Sequence, residues 1–137
     1  MATRSIPSIS VGLRTGIVFI TPSYYPPNGM YVDCGPVFSA SSDDPALIGR
    51  HIKNALAHCA DEGPWPIDES YRSPVLDAAG VRTWDEYQRG LKSGAVRQFE
   101  DYFLAMGRAA QIRLPISATP EQIGFAVLEA IGSIRGR

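Results

Sequence analysis

Two apolar segments separated by a short turn constrain the fold of this chain more than any other feature. Residues 9–13 alternate between apolar and small or polar side chains, the period of a strand with one buried face. Residues 17–20, Ile-Val-Phe-Ile, form an uninterrupted apolar run that is typical of a strand buried on both faces. Thr15 and Gly16 lie between the two segments as a turn. The sequence therefore predicts two strands of a sheet near its beginning.

Capping residues mark where the two longer helices begin. Asp44 precedes Pro45, and Thr119 precedes Pro120 with Gln122 three positions after the cap. A side-chain oxygen at the cap accepts a hydrogen bond from a free backbone N–H. Proline at the next position has no N–H to leave unpaired. Apolar residues at helical spacing follow both caps, so we expect each helix to bury one face.

Short helices and short strands fill much of the remaining chain. A capping box that begins at Thr83 predicts a helix over residues 83–91, and Gly80 ends the short helix before it. We expect Leu76 and Trp84 to be buried, each anchoring a short helix on the sheet. Further strands are predicted at residues 30–33, 37–39, 95–99, 102–106 and 110–114.

The order of these elements indicates the fold class. Strands joined by short turns, with helices between and after them, favour an α+β fold, an antiparallel β-sheet with helices packed against it. A length of 137 residues suits one domain, since single domains usually have roughly 100–200 residues. We therefore predict a single domain over residues 1–137.

The composition is that of an ordinary globular protein, and it excludes several functional classes. Of all residues 45% are hydrophobic and 20% are charged, and 13 Lys and Arg nearly balance 14 Asp and Glu. The net charge of −1 excludes a broadly basic nucleic-acid coat, because binding phosphates needs clustered positive charges. No apolar run approaches the roughly 20 residues that span a bilayer, and none resembles a signal peptide. We expect a cytoplasmic protein.

The residue types most often used in catalysis and metal binding do not combine into a site. His51 and His58 lie about two turns apart on one helix, too far for a shared metal ion. Cys59 follows His58 directly, and neighbouring helix positions point about 100° apart, so the two do not form a nucleophile and its base. Cys34 and Cys59 lack the spacing of a metal site and are predicted to be reduced thiols. We expect no enzymatic activity, no cofactor and no metal ion.

Charge is distributed unevenly along the chain. Residues 33–71 contain seven acidic and two basic side chains, whereas residues 82–113 contain six basic and four acidic ones. Such an asymmetry can steer a charged partner. The segment at residues 61–71 has no helical or strand period and combines acids with aromatic rings, which are common at the energetic centre of interfaces. The candidate partner-binding residues are Asp61, Glu62, Trp65, Asp68, Glu69 and Tyr71.

Three stretches resemble a known protein family. The immunity proteins called CdiI, which accompany contact-dependent growth inhibition (CDI) toxins, have a first helix similar to residues 46–56, Ala-Leu-Ile-Gly-Arg-His-Ile-Lys-Asn-Ala-Leu. Residues 73–87 resemble a turn and short helix of that family and contain its Ala-Gly-Val-Arg-Thr-Trp step. Residues 120–130 resemble its C-terminal helix. Order and spacing agree over most of the chain, whereas residues 61–72 match no pattern of the family.

The resemblance implies a cytoplasmic protein that binds the C-terminal toxin domain of a CDI delivery protein as a heterodimer and neutralises it. Many such toxins are nucleases, often directed at tRNA, and a basic nuclease cleft would suit the acidic segment. The resemblance implies no direct contact with nucleic acid or with a membrane.

Two other functions stay open. One is a small enzyme or ligand-binding protein on the same scaffold. The other is a nucleic-acid-binding module that combines arginine and tyrosine side chains, namely Arg82, Arg89, Arg97, Arg108, Arg113, Tyr87 and Tyr102.

Overall fold

The computed structural model of this protein describes residues 6–24, 32–33, 36–59 and 73–133. The strands are β1 (Ser8–Arg14), β2 (Ile17–Tyr24), β3 (Val32–Asp33), β4 (Phe38–Ser41), β5 (Lys92–Gln98), β6 (Tyr102–Gly107) and β7 (Gln111–Pro115). The helices are α1 (Pro45–Ala57), α2 (Pro74–Ala79), α3 (Trp84–Gln88) and α4 (Pro120–Ala130). All strand pairs among these residues are antiparallel, and helices pack against the sheet, which confirms the predicted α+β fold.

One sheet joins the strands in the order β3-β2-β1-β5-β6-β7. The predicted turn at Thr15 and Gly16 connects β1 to β2, and both residues have a positive φ, of 51° and 79°. β4 pairs with the first half of β2, and β3 pairs with its last two residues. On its other edge β1 pairs with β5, where Gly94 lies opposite Val11. This pairing brings the early and late strands of the chain into one sheet.

Helices α1 and α4 cover one face of the sheet and form the main core with it. Ile48, Ile52, Ile123 and Val127 are fully buried between the helices and the strands. The predicted caps are present. Asp44 accepts a hydrogen bond from the backbone N–H of Leu47 (3.1 Å), and the Thr119 side chain forms a reciprocal capping box with Gln122. No helix of the described residues is long and apolar enough to cross a membrane.

A pair of glycines allows α1 and α4 to approach closely. A Cβ on Gly49 would collide with the backbone carbonyl of Pro120, the first residue of α4. A Cβ on Gly124 would collide with the backbone carbonyl of Pro45, the first residue of α1. The two helices therefore cross where each begins, and any side chain at either glycine would force them apart.

Helices α2 and α3 lie on the opposite face of the sheet. Phe19 of β2, Val75 and Leu76 of α2, and Tyr87 of α3 are buried together in a second, smaller cluster. Leu76 is 3% exposed, so its predicted burial is confirmed.

Trp84 does not belong to either core, and the prediction that it is buried is wrong. Its side chain is 45% exposed. Thr83 caps α3 as predicted, since its Oγ1 accepts a hydrogen bond from the Glu86 N–H (3.2 Å). Trp84 is the first residue after that cap, where its ring packs edge-on against Tyr87 and otherwise extends outward. The helix also ends earlier than predicted, because Gly90 takes a φ of 68° and β5 begins at Lys92.

Candidate functional site

The six residues predicted from the sequence as partner contacts lie in a segment that is outside the described residues. They are Asp61, Glu62, Trp65, Asp68, Glu69 and Tyr71, and their role stays a prediction. The described residues at the two ends of this segment are both anchored. The Cys59 thiol donates a hydrogen bond to the carbonyl oxygen of Ser8 (3.1 Å), and Ser73 is 2% exposed. The chain before the segment packs on the α1 and α4 face, and the chain after it packs on the other face.

A second candidate surface is the outer face of β5, β6 and β7, opposite α1 and α4. We call it the open sheet face. Within the described part of the chain no helix packs against it over β6 and β7, since α4 contacts those strands from the other side. By the strand register it consists of Ser93, Ala95, Arg97, Tyr102, Leu104, Met106, Gln111, Arg113 and Pro115, all of them half-buried or exposed. Because no described helix covers it, this face is a candidate contact surface.

The charge of the open sheet face is entirely positive. Arg97, Leu104 and Arg113 lie side by side in one row across the three strands. None of the nine residues of the face is an aspartate or a glutamate. Glu100 and Asp101 are exposed in the connection between β5 and β6, beyond the end of the paired strands. In a chain with a net charge of −1, this row is a local concentration of positive charge.

Arg113 is held in place by an aromatic stack. Its guanidinium carbon lies 3.8 Å from the centre of the Tyr102 ring, within the range of a cation–π contact. The Tyr102 ring in turn stacks on Phe99, with 4.6 Å between centroids and 12° between planes. The tight connection positions both rings, because the Phe99 N–H donates to the carbonyl oxygen of Tyr102 (2.9 Å). The guanidinium is therefore restrained by a ring contact, although the residue is exposed.

A cleft of about 280 Å³ lies between α3 and the sheet, beside the open sheet face. Trp84 and Tyr87 line this cleft, and the centroids of their rings are 5.8 Å apart. The Tyr87 hydroxyl sits directly over Gly12 of β1, where an added Cβ would collide with it. Ser93 lines the cleft and also belongs to the open sheet face, so the two are continuous.

A larger groove, of about 420 Å³, lies between β7 and α4. Its wall is mainly apolar and includes Ile112, Leu114, Phe125 and Ala126. β7 is the last strand on this side of the sheet. The groove is therefore a concave apolar surface beside a sheet edge.

His51 and Cys59 are half-buried, whereas His58 is exposed. Phe38 of β4 stacks on His51 at 5.3 Å and lies 6.0 Å from His58, centroid to centroid. The Cys59 thiol donates to Ser8, and burial raises its pKa above the ordinary value of 9.0, which hydrogen bonds with the backbone of Ser23 and Ser8 partly offset. A thiol with a raised pKa is a weak nucleophile at neutral pH. Among the described residues no three His, Cys, Asp or Glu side chains are placed to hold a metal ion.

The sequence points to three of the nine residues of the open sheet face but does not place them on one surface. Arg97, Tyr102 and Arg113 belong to the alternative nucleic-acid-binding module that the sequence leaves open. The signal that defines the face is the strand period. Alternate residues of β5–β7 face α4, where Val96, Phe103 and Ala105 are buried and Ile112 and Leu114 are half-buried. The intervening residues combine arginine, aromatic and apolar side chains.

Comparison with known proteins gives matches of structure but not of sequence. No known protein family and no curated protein matches the sequence. A chain of the CdiA-CT/CdiI toxin and immunity complex from Yersinia pseudotuberculosis is similar in structure at 15% identity, with a TM-score of 0.70 over 96% of this chain and 99% of that one. The chain has a CdiI-like fold. The resemblance noted in the sequence is thereby confirmed for the fold.

A second solved structure has the same fold. It is a protein of unknown function from Neisseria meningitidis, which is 14% identical and has a TM-score of 0.73 over 98% of this chain and 100% of that one. Both similarities extend over nearly the full length of each chain. The shared fold therefore includes nearly all of this chain.

Proposed function

We propose that this protein is an immunity protein that binds the C-terminal toxin domain of a CDI delivery protein in the cytoplasm and neutralises it. The observation that carries the proposal is the full-length similarity to a chain of a toxin and immunity complex. The described residues agree with a binding role, because His51 stacks on Phe38 and burial raises the pKa of the Cys59 thiol, which makes it a weak nucleophile. Neutralisation by binding needs an exposed surface, which the open sheet face supplies.

In this proposal the toxin is a nuclease, such as one that cuts tRNA, and it forms a heterodimer with this protein. Nuclease active sites are basic because they bind phosphates. The acidic segment with Asp61, Glu62, Asp68 and Glu69 supplies the opposite charge, and Trp65 and Tyr71 supply aromatic anchors. In this proposal the protein itself binds no nucleic acid, cofactor or membrane.

The nucleic-acid-binding alternative is less well supported by the geometry. Single-stranded nucleic acid binds where bases stack on exposed aromatic rings along a basic groove. The Tyr102 ring already contacts both Phe99 and the Arg113 guanidinium. Tyr87 is 5% exposed and belongs to the smaller core. Neither tyrosine of the predicted nucleic-acid site therefore presents an unoccupied ring.

The proposal is tested with the purified C-terminal domain of the large delivery protein encoded immediately upstream of this gene. We expect a one-to-one complex on size-exclusion chromatography with light scattering, and submicromolar affinity by calorimetry. The control is the C-terminal domain of an unrelated delivery protein, which should not bind. A toxin domain that stays separate at tens of micromolar, or the lack of any upstream delivery gene, would contradict the proposal.

A further inference from the structure

We propose that the open sheet face is a second contact surface for the toxin domain and binds a segment of it that carries aspartate or glutamate side chains. Arg113 receives a carboxylate, and Leu104 and Met106 form the apolar floor beside it. The inference rests on the proposed function and adds to it a surface and a chemistry. This surface is separate from the acidic segment at residues 61–71, which we propose contacts the basic active-site cleft of the toxin.

The charge of the face determines the chemistry of its partner. Two arginines flank Leu104 in one row, and the face contains no acidic residue. Arg113 makes no ion pair in the described part of the chain. An acidic partner segment would complement the exposed Arg113 guanidinium, whereas a basic surface would be repelled by it.

The stack on Tyr102 prepares Arg113 for that role. A guanidinium that lies over a ring uses its face for the cation–π contact and leaves its N–H groups along the edge for hydrogen bonds. Those N–H groups form a planar fork that matches the two oxygens of a carboxylate. Because Tyr102 and Phe99 already restrict the side chain, less conformational entropy is lost when a carboxylate binds.

The apolar residues of the face favour a protein over a nucleic acid. Leu104 and Met106 are half-buried; Leu104 lies between Arg97 and Arg113, and Met106 lies in the next row of the same face, between Ala95 and Gln111. Tyrosine, methionine and arginine are enriched at protein interfaces, where an apolar centre is surrounded by polar contacts. A nucleic acid would need several phosphate contacts to bind tightly, and the two arginines of this face supply few.

The experiment measures binding of the same toxin domain to variants of Arg113. Arg113→Gln removes the charge and should weaken binding about tenfold or more, and Arg113→Glu should weaken it about 100-fold, in the range of buried charge contacts at interfaces. The matched control is Arg108→Gln, an exposed arginine in the turn between β6 and β7 and outside the face. All variants should keep the thermal midpoint of the wild type, since Arg113 is exposed.

Two further variants test the stack. Tyr102→Phe keeps the ring and should bind as the wild type does, whereas Tyr102→Leu removes the ring and should weaken binding severalfold. The carboxylate is identified by changing each Asp and Glu of the toxin domain to Lys in turn. One of these toxin variants should bind Arg113→Glu more tightly than the wild-type toxin domain does, which is the signature of a direct pair.

The outcomes separate this inference from the proposed function. If the wild type binds the toxin domain and Arg113→Gln binds it equally well, the open sheet face is not a contact surface and only the inference fails. If the wild type does not bind the toxin domain at all, both fail together. If instead the wild type binds a single-stranded RNA of mixed sequence at physiological salt, and Arg113→Gln loses that binding, the face belongs to a nucleic acid and the inference is overturned.

Discussion

The guanidinium of Arg113 lies 3.8 Å from the centre of the Tyr102 ring, on a sheet face that no described helix covers over β6 and β7. The two residues belong to neighbouring strands, two positions out of register, so the antiparallel pairing of β6 and β7 brings them together. A partner that covers this positive group must supply a negative charge, because burying an unpaired charge costs free energy. The pair therefore marks the open sheet face as the part of the described structure best prepared for an acidic partner.

Truncation should reduce stability strongly at Leu76 and only slightly at Trp84. Leu76→Ala should reduce the free energy of unfolding by about 2–5 kcal/mol, because it empties a buried position. Trp84→Ala should reduce it by less than about 1 kcal/mol, because nearly half of the side chain is exposed and it belongs to neither core. Urea unfolding and calorimetry measure the two effects. A large loss of stability in Trp84→Ala would show that the ring is buried after all.

Gly49→Ala and Gly124→Ala should each destabilise the protein by about 1–3 kcal/mol, measured by urea unfolding. Alanine ordinarily stabilises a helix by roughly 1 kcal/mol relative to glycine, so the sign of the change is diagnostic. The added Cβ collides with the backbone of the facing helix, which cannot move aside as a side chain can. Asn54→Ala, on the exposed side of α1, is the control and should stabilise slightly. A stabilised Gly49→Ala variant would mean that α1 and α4 are further apart.

Neutralising the acidic segment should slow association with the toxin domain. A variant with Asp61→Asn, Glu62→Gln, Asp68→Asn and Glu69→Gln should associate more slowly at low salt and approach the wild-type rate at high salt, because screening removes the same attraction. Trp65→Ala should instead speed dissociation, as loss of an aromatic anchor does. Stopped-flow mixing measures both. Unchanged rates in both variants would place the interface elsewhere, at the open sheet face or at the acidic turn of Asp43 and Asp44.

Cys59 should make stability depend on pH in the alkaline range. Burial raises its pKa in the folded state above that of the unfolded chain, so the folded state holds the thiol proton more tightly. The resulting stabilisation is complete below the unfolded value of about 9.0 and is lost as the pH rises above it. The decrease in unfolding free energy between pH 8 and pH 10 should be smaller in Cys59→Ala. An equal decrease in both proteins would show that Cys59 ionises equally easily in the folded and unfolded states.

The sequence predicted what local chemistry determines. The caps at Asp44 and Thr119 and the turn at Thr15 and Gly16 depend on neighbours within a few residues, and all are present. The pairing of β1 with β5 depends on residues far apart in the chain, and no local pattern indicates it. The exposure of Trp84 was likewise not predictable from local sequence. The Thr83 cap determines that Trp84 begins the helix, but it does not determine which face of that helix packs on the sheet.

Individual residues of the open sheet face could be predicted from the sequence, but their arrangement on one surface could not. Arg97, Tyr102 and Arg113 were recognised as residues of interest, yet the contact between Arg113 and Tyr102 depends on the register of β6 and β7. Register is set by tertiary packing of Ile112 and Leu114 under α4 rather than by the strand sequence alone. In the structure the Tyr102 ring contacts the Arg113 guanidinium and Phe99, so it restrains the arginine.

Protection of living cells tests the central proposal most directly. The toxin domain is expressed from an inducible promoter in bacteria that carry either this protein, the variant His51→Ala, His58→Ala and Cys59→Ala, or an empty plasmid. Cells with the wild type or with the folded triple variant should keep growing, while those with the empty plasmid should stop, because protection requires binding and not catalysis by these residues. Growth arrest in all three cultures would contradict the account.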